Sequence, residues 1–286
     1  MTKVLVLGAS GMLGRALVRE LRSEILEVIT AGRGFGDDLY FDAQKSSVSD
    51  LLKTLDEGDY VINAIGIIKH RIDEMNPAHV EQAFKINAEF PIELSNAGCD
   101  RHLKIIQIAT DCVFSGSTGG YNECSPHDAT DVYGTSKSKG EVDSPSMMHI
   151  RCSIVGPERG RNLSLFEWVR SRPAGSTIPG YIDHYWNGVT THSFAKVVAG
   201  VIKNDLFKPG VHHLVPSDVT TKANLVKMLA VRAGRSDLTV QDTETEEPMN
   251  RTLSTLDNDF NALLWTSAGY KDVPSIPELI QEMPIN

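Results

Sequence analysis

Short apolar runs alternate with longer stretches of helical periodicity through the first half of the chain. Each run has the length of a strand buried on both faces of a parallel sheet. The predicted strands cover residues 4–7, 27–31, 39–41, 60–65, 104–109 and 149–155. The predicted helices cover residues 15–21, 49–55 and 77–97, and a further helix surrounds Tyr133. This alternation predicts an α/β fold with a doubly wound parallel sheet and helices on both faces.

The second half of the chain has a weaker pattern. A loop that enters an amphipathic helix covers residues 189–202, a strand covers 212–215, and another helix covers 222–233. An acidic, proline-containing segment at 242–248 and a short helix near Pro277 follow. The pattern predicts further α/β structure here, without internal repeats.

Composition and charge narrow the class of protein. The chain has 286 residues, of which 41% are hydrophobic, and this is enough to bury a large core. It has no run of 18 apolar residues and no charged-then-apolar leader, so we expect neither a membrane span nor a secretory signal. The net charge of -9 argues against a nucleic-acid partner.

Cysteine and histidine spacing does not indicate a metal site. The 4 cysteines form no C-x-x-C pair, so reduced thiols in a cytoplasmic protein are the simplest interpretation. The neighbouring His212 and His213 would alternate across a strand, which disfavours joint metal ligation. We therefore expect no bound metal.

A glycine-rich turn joins the first strand to the first helix. The spacing Gly8-x-x-Gly11-x-x-Gly14 lets the backbone approach a pyrophosphate at the helix N-terminus, and the third glycine permits close packing of helix on strand. The spacing differs from the commonest dinucleotide fingerprint, and a plain strand-to-helix turn is the alternative. With the alternating pattern it predicts a Rossmann fold that contacts a dinucleotide through Gly8, Ser10, Gly11, Met12, Leu13 and Gly14.

Polar and small residues follow several predicted strands at the carboxyl edge of the sheet, where doubly wound folds bind ligands. Arg33 follows the second strand, where an arginine suits the 2′-phosphate of NADP and an acidic residue would suit NAD. NADP(H) is therefore favoured, with NAD(H) as the alternative. Other predicted cofactor contacts follow the third and fourth strands, namely Asp42, Ala43, Ala64, Ile65 and Gly66.

Tyr133 and Lys137 are four residues apart and therefore share one face of a predicted helix. We expect the ammonium to lower the pKa of the phenol, so that the phenol can exchange a proton near neutral pH. Thr110 and Asp111 end the fifth predicted strand, where a hydroxyl can hydrogen-bond a substrate carbonyl, although a helix cap or a turn would use the same residues. Beside a nucleotide site, this set predicts carbonyl and alcohol chemistry.

These motifs occur in order over most of the chain and together resemble the extended short-chain dehydrogenase/reductase family. Within that family the chain looks most like the dTDP-4-dehydrorhamnose reductase group. The resemblance implies a dinucleotide-binding domain over residues 1–155 and a mainly substrate-binding, interleaved lobe over residues 156–286. The matching residues are the glycine turn, Asn63-Ala64, Asn87, residues 110–116, Tyr121-x-Glu123-x-Ser-Pro126 and Val132-Tyr133-Gly-Thr-Ser-Lys137-x-x-Gly-Glu141.

The resemblance also implies a role for each matching side chain. Tyr133 would donate a proton to the sugar ketone, Lys137 would hold the nicotinamide ribose, and Thr110 would hydrogen-bond the reacting oxygen. Asn87 would support a water-linked proton path. The expected substrate contacts are Thr110, Asp111, Cys112, Ile154, Asn162, Trp186 and Asn187.

Two of these positions differ from the rhamnose-pathway reductases, which usually carry Tyr in place of Cys112 and Trp in place of Ile154. A hexose derivative other than that of the rhamnose pathway is therefore an alternative substrate. The related dehydratases carry a Thr-Asp-Glu triplet, and Cys112 cannot replace its carboxyl group at neutral pH without activation, which disfavours dehydration.

The function expected from the resemblance is that of an NADPH-preferring reductase of a nucleotide-activated 4-keto-6-deoxyhexose. It would act in the cytoplasm, in deoxysugar or surface-polysaccharide biosynthesis, with a nucleotide sugar as its partner and a homodimer as a compatible assembly. A nucleotide-sugar epimerase and a non-catalytic, NADP-binding regulatory subunit are the alternatives.

Overall fold

A parallel sheet forms the centre of the protein. A computed structural model describes residues 2–24, 26–159 and 163–285. In these ranges the strands are β1 (Lys3–Leu7), β2 (Glu27–Gly32), β3 (Leu39–Tyr40), β4 (Tyr60–Asn63), β5 (Lys104–Thr110), β6 (Met147–Cys152), β7 (Ile154–Val155), β8 (Thr177–Tyr181), β9 (His184–Trp186), β10 (Val189–Thr190), β11 (Gly210–His213), β12 (Thr220–Thr221), β13 (Thr239–Thr243) and β14 (Met249–Asn250). Seven of the described strands form one sheet in the order β11-β6-β5-β4-β1-β2-β3, and each neighbouring pair is parallel.

Helices cover both faces of this sheet. In the described ranges they are α1 (Met12–Ser23), α2 (Val48–Leu52), α3 (Pro77–Phe84), α4 (Phe90–Cys99), α5 (Val132–Lys139), α6 (Leu165–Arg170), α7 (Thr191–Lys203), α8 (Lys222–Arg232), α9 (Asn258–Ser267) and α10 (Ile276–Glu282). A π-helical turn at Lys85–Glu89 joins α3 to α4, so the helix predicted over 77–97 is continuous but contains one wider turn. The order of β3, β2, β1, β4, β5 and β6 is that of the Rossmann fold, which confirms the predicted fold class.

The alternation of side chains along β1 explains the two cores. Val4 and Val6 pack with α1, α7 and α9 on one face of the sheet, because successive strand residues point to opposite sides. Leu5 and Leu7 pack with α2 and α4 on the other face. All four side chains have 0% exposure, which explains why residues 4–7 of β1 form a continuous apolar run in the sequence.

A small lobe lies beside the sheet and consists of α6, α8 and α10 with β8, β9, β12, β13 and β14. Its core contains Phe166, Trp186, Leu225, Leu229 and Ile280, all buried. Later parts of the chain return to the large sheet, since β11 pairs with β6 and α7 packs against α1. The lobe is therefore interleaved with the sheet in sequence.

One predicted strand was wrong in its extent, and some elements were not predicted. The strand predicted over 149–155 is divided at Ser153 into β6 and β7, and β7 pairs with β10 instead of the large sheet. The short α6 and the helix α9 were not predicted. At the division between β6 and β7, the backbone N–H of Val189 donates to the carbonyl of Ser153 at 2.8 Å. This hydrogen bond directs the chain away from the large sheet after Ser153.

Candidate functional site

A cleft of about 910 Å³ lies at the carboxyl ends of the central strands. Most of the residues predicted for the cofactor and the reaction line it, although they come from widely separated parts of the sequence. The predicted residues in its lining are Gly8, Ser10, Gly11, Met12, Leu13, Arg33, Asp42, Ala43, Ala64, Ile65, Gly66, Thr110, Asp111, Cys112, Tyr133, Lys137 and Ile154.

The glycine turn has the geometry that a pyrophosphate requires. Gly8 has a φ of +76°, and Gly11 precedes α1 without a side chain that caps the first turn. The first backbone N–H groups of α1 are therefore available to an anion. A Cβ at Gly14 would lie 2.1 Å from the carbonyl oxygen of Gly8, so this residue permits packing and does not line the cleft. The residues present fit a dinucleotide.

Asp42 and Arg33, two of the predicted cofactor contacts, differ in how firmly the protein holds their side chains. Asp42 is buried, and its carboxylate accepts from the backbone N–H of Gln44 at 3.0 Å, while its own N–H donates to Ser46 Oγ at 2.9 Å. It therefore stabilises the loop after β3. Arg33 is exposed at the end of β2, where it is free to turn toward a ligand.

Helix α5 holds Tyr133 and Lys137 against the end of β5. Asp131 begins the helix by accepting from the N–H of Gly134 at 2.9 Å. A Cβ at Gly134 would lie 2.4 Å from the carbonyl oxygen of Cys112, so only glycine allows this approach. Lys137 Nζ donates to the carbonyl oxygen of Ile108 at 2.8 Å, which fixes the ammonium beside β5.

The protonation of this pair differs from the sequence prediction. Burial raises the pKa of the Tyr133 phenol, and the neighbouring Cys112 acts in the same direction. Burial lowers the pKa of Lys137 to about 8. The expected lowering of the phenol pKa by the ammonium is therefore not seen, and removal of the phenolate from water is the largest effect on this pKa. The Tyr133 phenol is therefore protonated at pH 7.

Thr110 ends β5 and lines the same cleft as Tyr133 and Lys137. Its Oγ1 accepts from the backbone N–H of Cys112 and donates to Asp111 Oδ1, each at 3.2 Å. Its hydroxyl also favours the ionised form of Tyr133, which opposes the effect of burial on that pKa. Thr110 is thus positioned with Tyr133 at one side of the cleft.

Asn87 lies behind the cleft and not in its lining. Its amide nitrogen donates to the carbonyl of Ile67 and to Ser136 Oγ, both at 3.0 Å, and its Oδ1 accepts from the N–H of Ile67 at 2.9 Å. Both N–H groups are therefore used within the protein. Asn87 connects α5 to the loop after β4, and it is buried in the π-helical turn.

The cleft wall after β5 carries a buried acid, Asp111, and a neutral thiol, Cys112. Burial raises the pKa of the Cys112 thiol to about 12, so it cannot act as a base at neutral pH. Burial also raises the pKa of Asp111, whereas the positive charges of Arg251 and Lys222 favour its carboxylate form. These two cations come from the C-terminal half, and the sequence analysis missed them because no local pattern links them to Asp111.

Two predicted substrate residues, Trp186 and Asn187, do not line this cleft. Trp186 is buried in the core of the small lobe and donates from Nε1 to Ser153 Oγ at 2.9 Å. Asn187 is buried and exchanges hydrogen bonds with the backbone of Leu253 at 2.7 and 2.9 Å. Both side chains join elements of the fold. Asn162 lies outside the described residues.

Several residues of the lining were not predicted, among them Arg15, Arg71, Ser153 and Glu158. Arg15 follows Gly14 directly, so its place on the first turn of α1 could have indicated it. The others follow strands at the carboxyl edge and have no motif of their own. Among the described residues, no cluster of at least three His, Cys, Asp or Glu side chains could hold a metal ion. The described helices include none that is long and apolar enough to cross a membrane.

The parallel sheet, the glycine turn and the Tyr133 helix define a dinucleotide-binding protein of the extended short-chain dehydrogenase/reductase type. The chain belongs to the RmlD substrate binding domain family, which matches residues 1–258.

The chain is also similar to two proteins that are named reductases. The chain is 32% identical over 194 residues to the probable low-salt glycan biosynthesis reductase of Haloferax volcanii, which covers 62% of this chain and 63% of the relative. It is 35% identical over 138 residues to the dTDP-4-dehydrorhamnose reductase of Streptomyces griseus, covering 48% of this chain and 43% of that protein. The chain thus spans less than two thirds of these curated relatives.

The fold is also found in solved structures. The dTDP-4-dehydrorhamnose reductase of Bacillus anthracis, in complex with NADP, has a TM-score of 0.79 at 20% identity, with 99% of this chain and 98% of that chain covered. At this identity the similarity establishes the fold alone.

Proposed function

We propose that this protein is an NADPH-preferring reductase of a nucleotide-activated 4-keto-6-deoxyhexose, active in deoxysugar or surface-polysaccharide biosynthesis in the cytoplasm. The observation that carries the proposal is that Thr110, Tyr133 and Lys137 line the same cleft as the glycine turn. The family and its named reductases support the reaction type. The small lobe would supply the remaining substrate contacts, and a homodimer stays a prediction.

The proposed chemistry reduces a ketone to an alcohol. When bound, NADPH supplies the hydride that adds to the carbonyl carbon. Tyr133 donates its phenolic proton to the carbonyl oxygen as negative charge develops there, and the hydroxyl of Thr110 hydrogen-bonds the same oxygen. Lys137, held by the carbonyl of Ile108, places a positive charge beside the phenolate that remains.

The side chain of Cys112 favours reduction over elimination of water. Dehydration needs a further acid or base near the sugar carbons, and a thiol with a pKa of about 12 stays protonated. Asp111 is the other acid at this position, but Thr110 and Cys112 both direct hydrogen bonds to its Oδ1. We therefore assign Asp111 to substrate binding.

The proposal is tested by the oxidation of NADPH and NADH in the presence of dTDP-, UDP- and GDP-linked 4-keto-6-deoxyhexoses. Tyr133→Phe should lower kcat by about 10²- to 10⁴-fold, the usual contribution of a positioned acid, and should leave NADPH affinity nearly unchanged. Turnover by Tyr133→Phe near the parent rate would exclude this residue as the proton donor. Cofactor binding without turnover of any sugar would instead favour an epimerase or a regulatory subunit.

A further inference from the structure

A second cavity of about 570 Å³ adjoins the cofactor cleft. The two cavities share Ser10, Arg15 and Gly34, so they meet where the glycine turn faces the loop after β2. Arg19 and Arg22 of α1 line only the second cavity. In a Rossmann fold the adenosine ribose lies near the end of β2, which places its 2′ position near this junction.

Arg15 is bent back over the glycine turn. Its Nε donates to the carbonyl oxygen of Ser10 at 2.9 Å, although the side chain is otherwise exposed. This bond uses one of five N–H donors of the guanidinium group. Within the described ranges, its terminal nitrogens have no hydrogen-bonding partner, so a two-pronged set of donors is held at the junction of the cavities.

A carboxylate lies at the same junction. Asp37 Oδ2 accepts from the N–H of Gly34 at 3.0 Å, and a Cβ at Gly32 would lie only 2.5 Å from this oxygen. Asp37 therefore folds back onto the last residue of β2. A carboxylate at this point can accept from a ribose 2′-hydroxyl, whereas it would repel a 2′-phosphate.

We propose that Arg15 is a specificity-determining residue that binds the 2′-phosphate of NADPH, and that Asp37 acts against it by favouring NADH. The inference rests on the proposed use of NADPH. Arginine suits this task because its planar donors bind two phosphate oxygens at once. Arg33, exposed at the same strand end, would contact the phosphate from the other side. The balance of Arg15 and Asp37 would then set the cofactor preference.

Binding measurements test this without a sugar substrate. Calorimetric titrations would compare 2′,5′-ADP with 5′-AMP, and NADPH with NADH, for the parent protein, Arg15→Ala, Arg19→Ala and Asp37→Asn. Arg15→Ala should weaken the binding of 2′,5′-ADP and NADPH by about 10- to 100-fold, the usual range for hydrogen bonds to a charged group. The same variant should change the affinity for 5′-AMP and NADH by less than about twofold. Arg19→Ala is the matched control, because this residue reaches only the second cavity, and it should cause less than about a threefold change.

Asp37→Asn should shift the preference toward the 2′-phosphate. It should tighten the binding of 2′,5′-ADP by several-fold, because a negative charge is removed, and it should weaken the binding of 5′-AMP. The assignment of Arg15 would be overturned if Arg15→Ala lost as much affinity for 5′-AMP as for 2′,5′-ADP. It would also be overturned if Arg19→Ala lost as much affinity for 2′,5′-ADP as Arg15→Ala does. These results do not depend on reduction: selective binding of 2′,5′-ADP without turnover of any sugar would refute the proposed function and leave the role of Arg15 intact.

Discussion

Removal of one partner from the buried ion pair of Arg151 and Glu141 should strongly destabilise the protein. Arg151 on β6 is 1% exposed, and its Nε donates to Glu141 Oε1 at 3.2 Å while Nη2 contacts the other carboxylate oxygen. The guanidinium also bonds His213 Nε2 at 2.6 Å and His127 Nε2 at 2.9 Å. The pair thus joins the end of α5, β6 and β11.

The expected magnitude follows from desolvation. Arg151→Met keeps much of the side-chain volume but leaves the carboxylate of Glu141 buried and unpaired, and breaking a buried pair in this way costs about 3–5 kcal/mol. Glu141→Gln should cost less, because the guanidinium keeps its histidine partners. The double variant should lose no more stability than Arg151→Met alone, because it no longer contains the unpaired carboxylate of Glu141.

Urea unfolding followed by circular dichroism measures these free energies by linear extrapolation. Lys53→Met is the control, because Lys53 and Asp50 form an exposed pair at 2.6 Å, and it should change stability by less than about 0.5 kcal/mol. If the losses of the two single variants simply add in the double variant, Arg151 and Glu141 are not energetically coupled and the reasoning fails.

Two further predictions concern acid stability and the glycine turn. Burial lowers the pKa of His213 to about 4 from an ordinary value of 6.5, so the unfolded chain binds more protons and stability falls as the pH drops from about 6.5 to 4. At most about 3 kcal/mol should be lost, and His213→Gln should show a smaller slope in urea unfolding over this range; an unchanged slope would contradict the assignment. Gly14→Ala should destabilise the protein by about 1–3 kcal/mol and weaken NADPH binding, because the new Cβ meets the backbone at Gly8. A Cβ at Gly36 meets nothing within 4 Å, so Gly36→Ala is the matched control for thermal unfolding and NADPH titration, and equal effects of both variants would refute the steric explanation.

The sequence determined the features that arise from local geometry. The apolar runs located the six strands from β1 to β6, most clearly β1, where residues 4–7 are apolar because the strand is buried on both faces of the sheet. The glycine spacing located the turn before α1, where a side chain at Gly14 has no room. The four-residue spacing of Tyr133 and Lys137 placed both at the cleft, because a helix brings such residues to one face.

The environment of these groups depends on how distant parts of the chain pack together. The pKa of Tyr133 rises because the phenol is removed from water, and no spacing along the chain reveals this. Trp186 packs in the lobe core instead of the cleft, and Lys222 and Arg251 act on Asp111 from more than a hundred residues away. Local sterics and periodicity act between neighbours in sequence, whereas desolvation and charge act through space, so their effects exist only once the chain has packed.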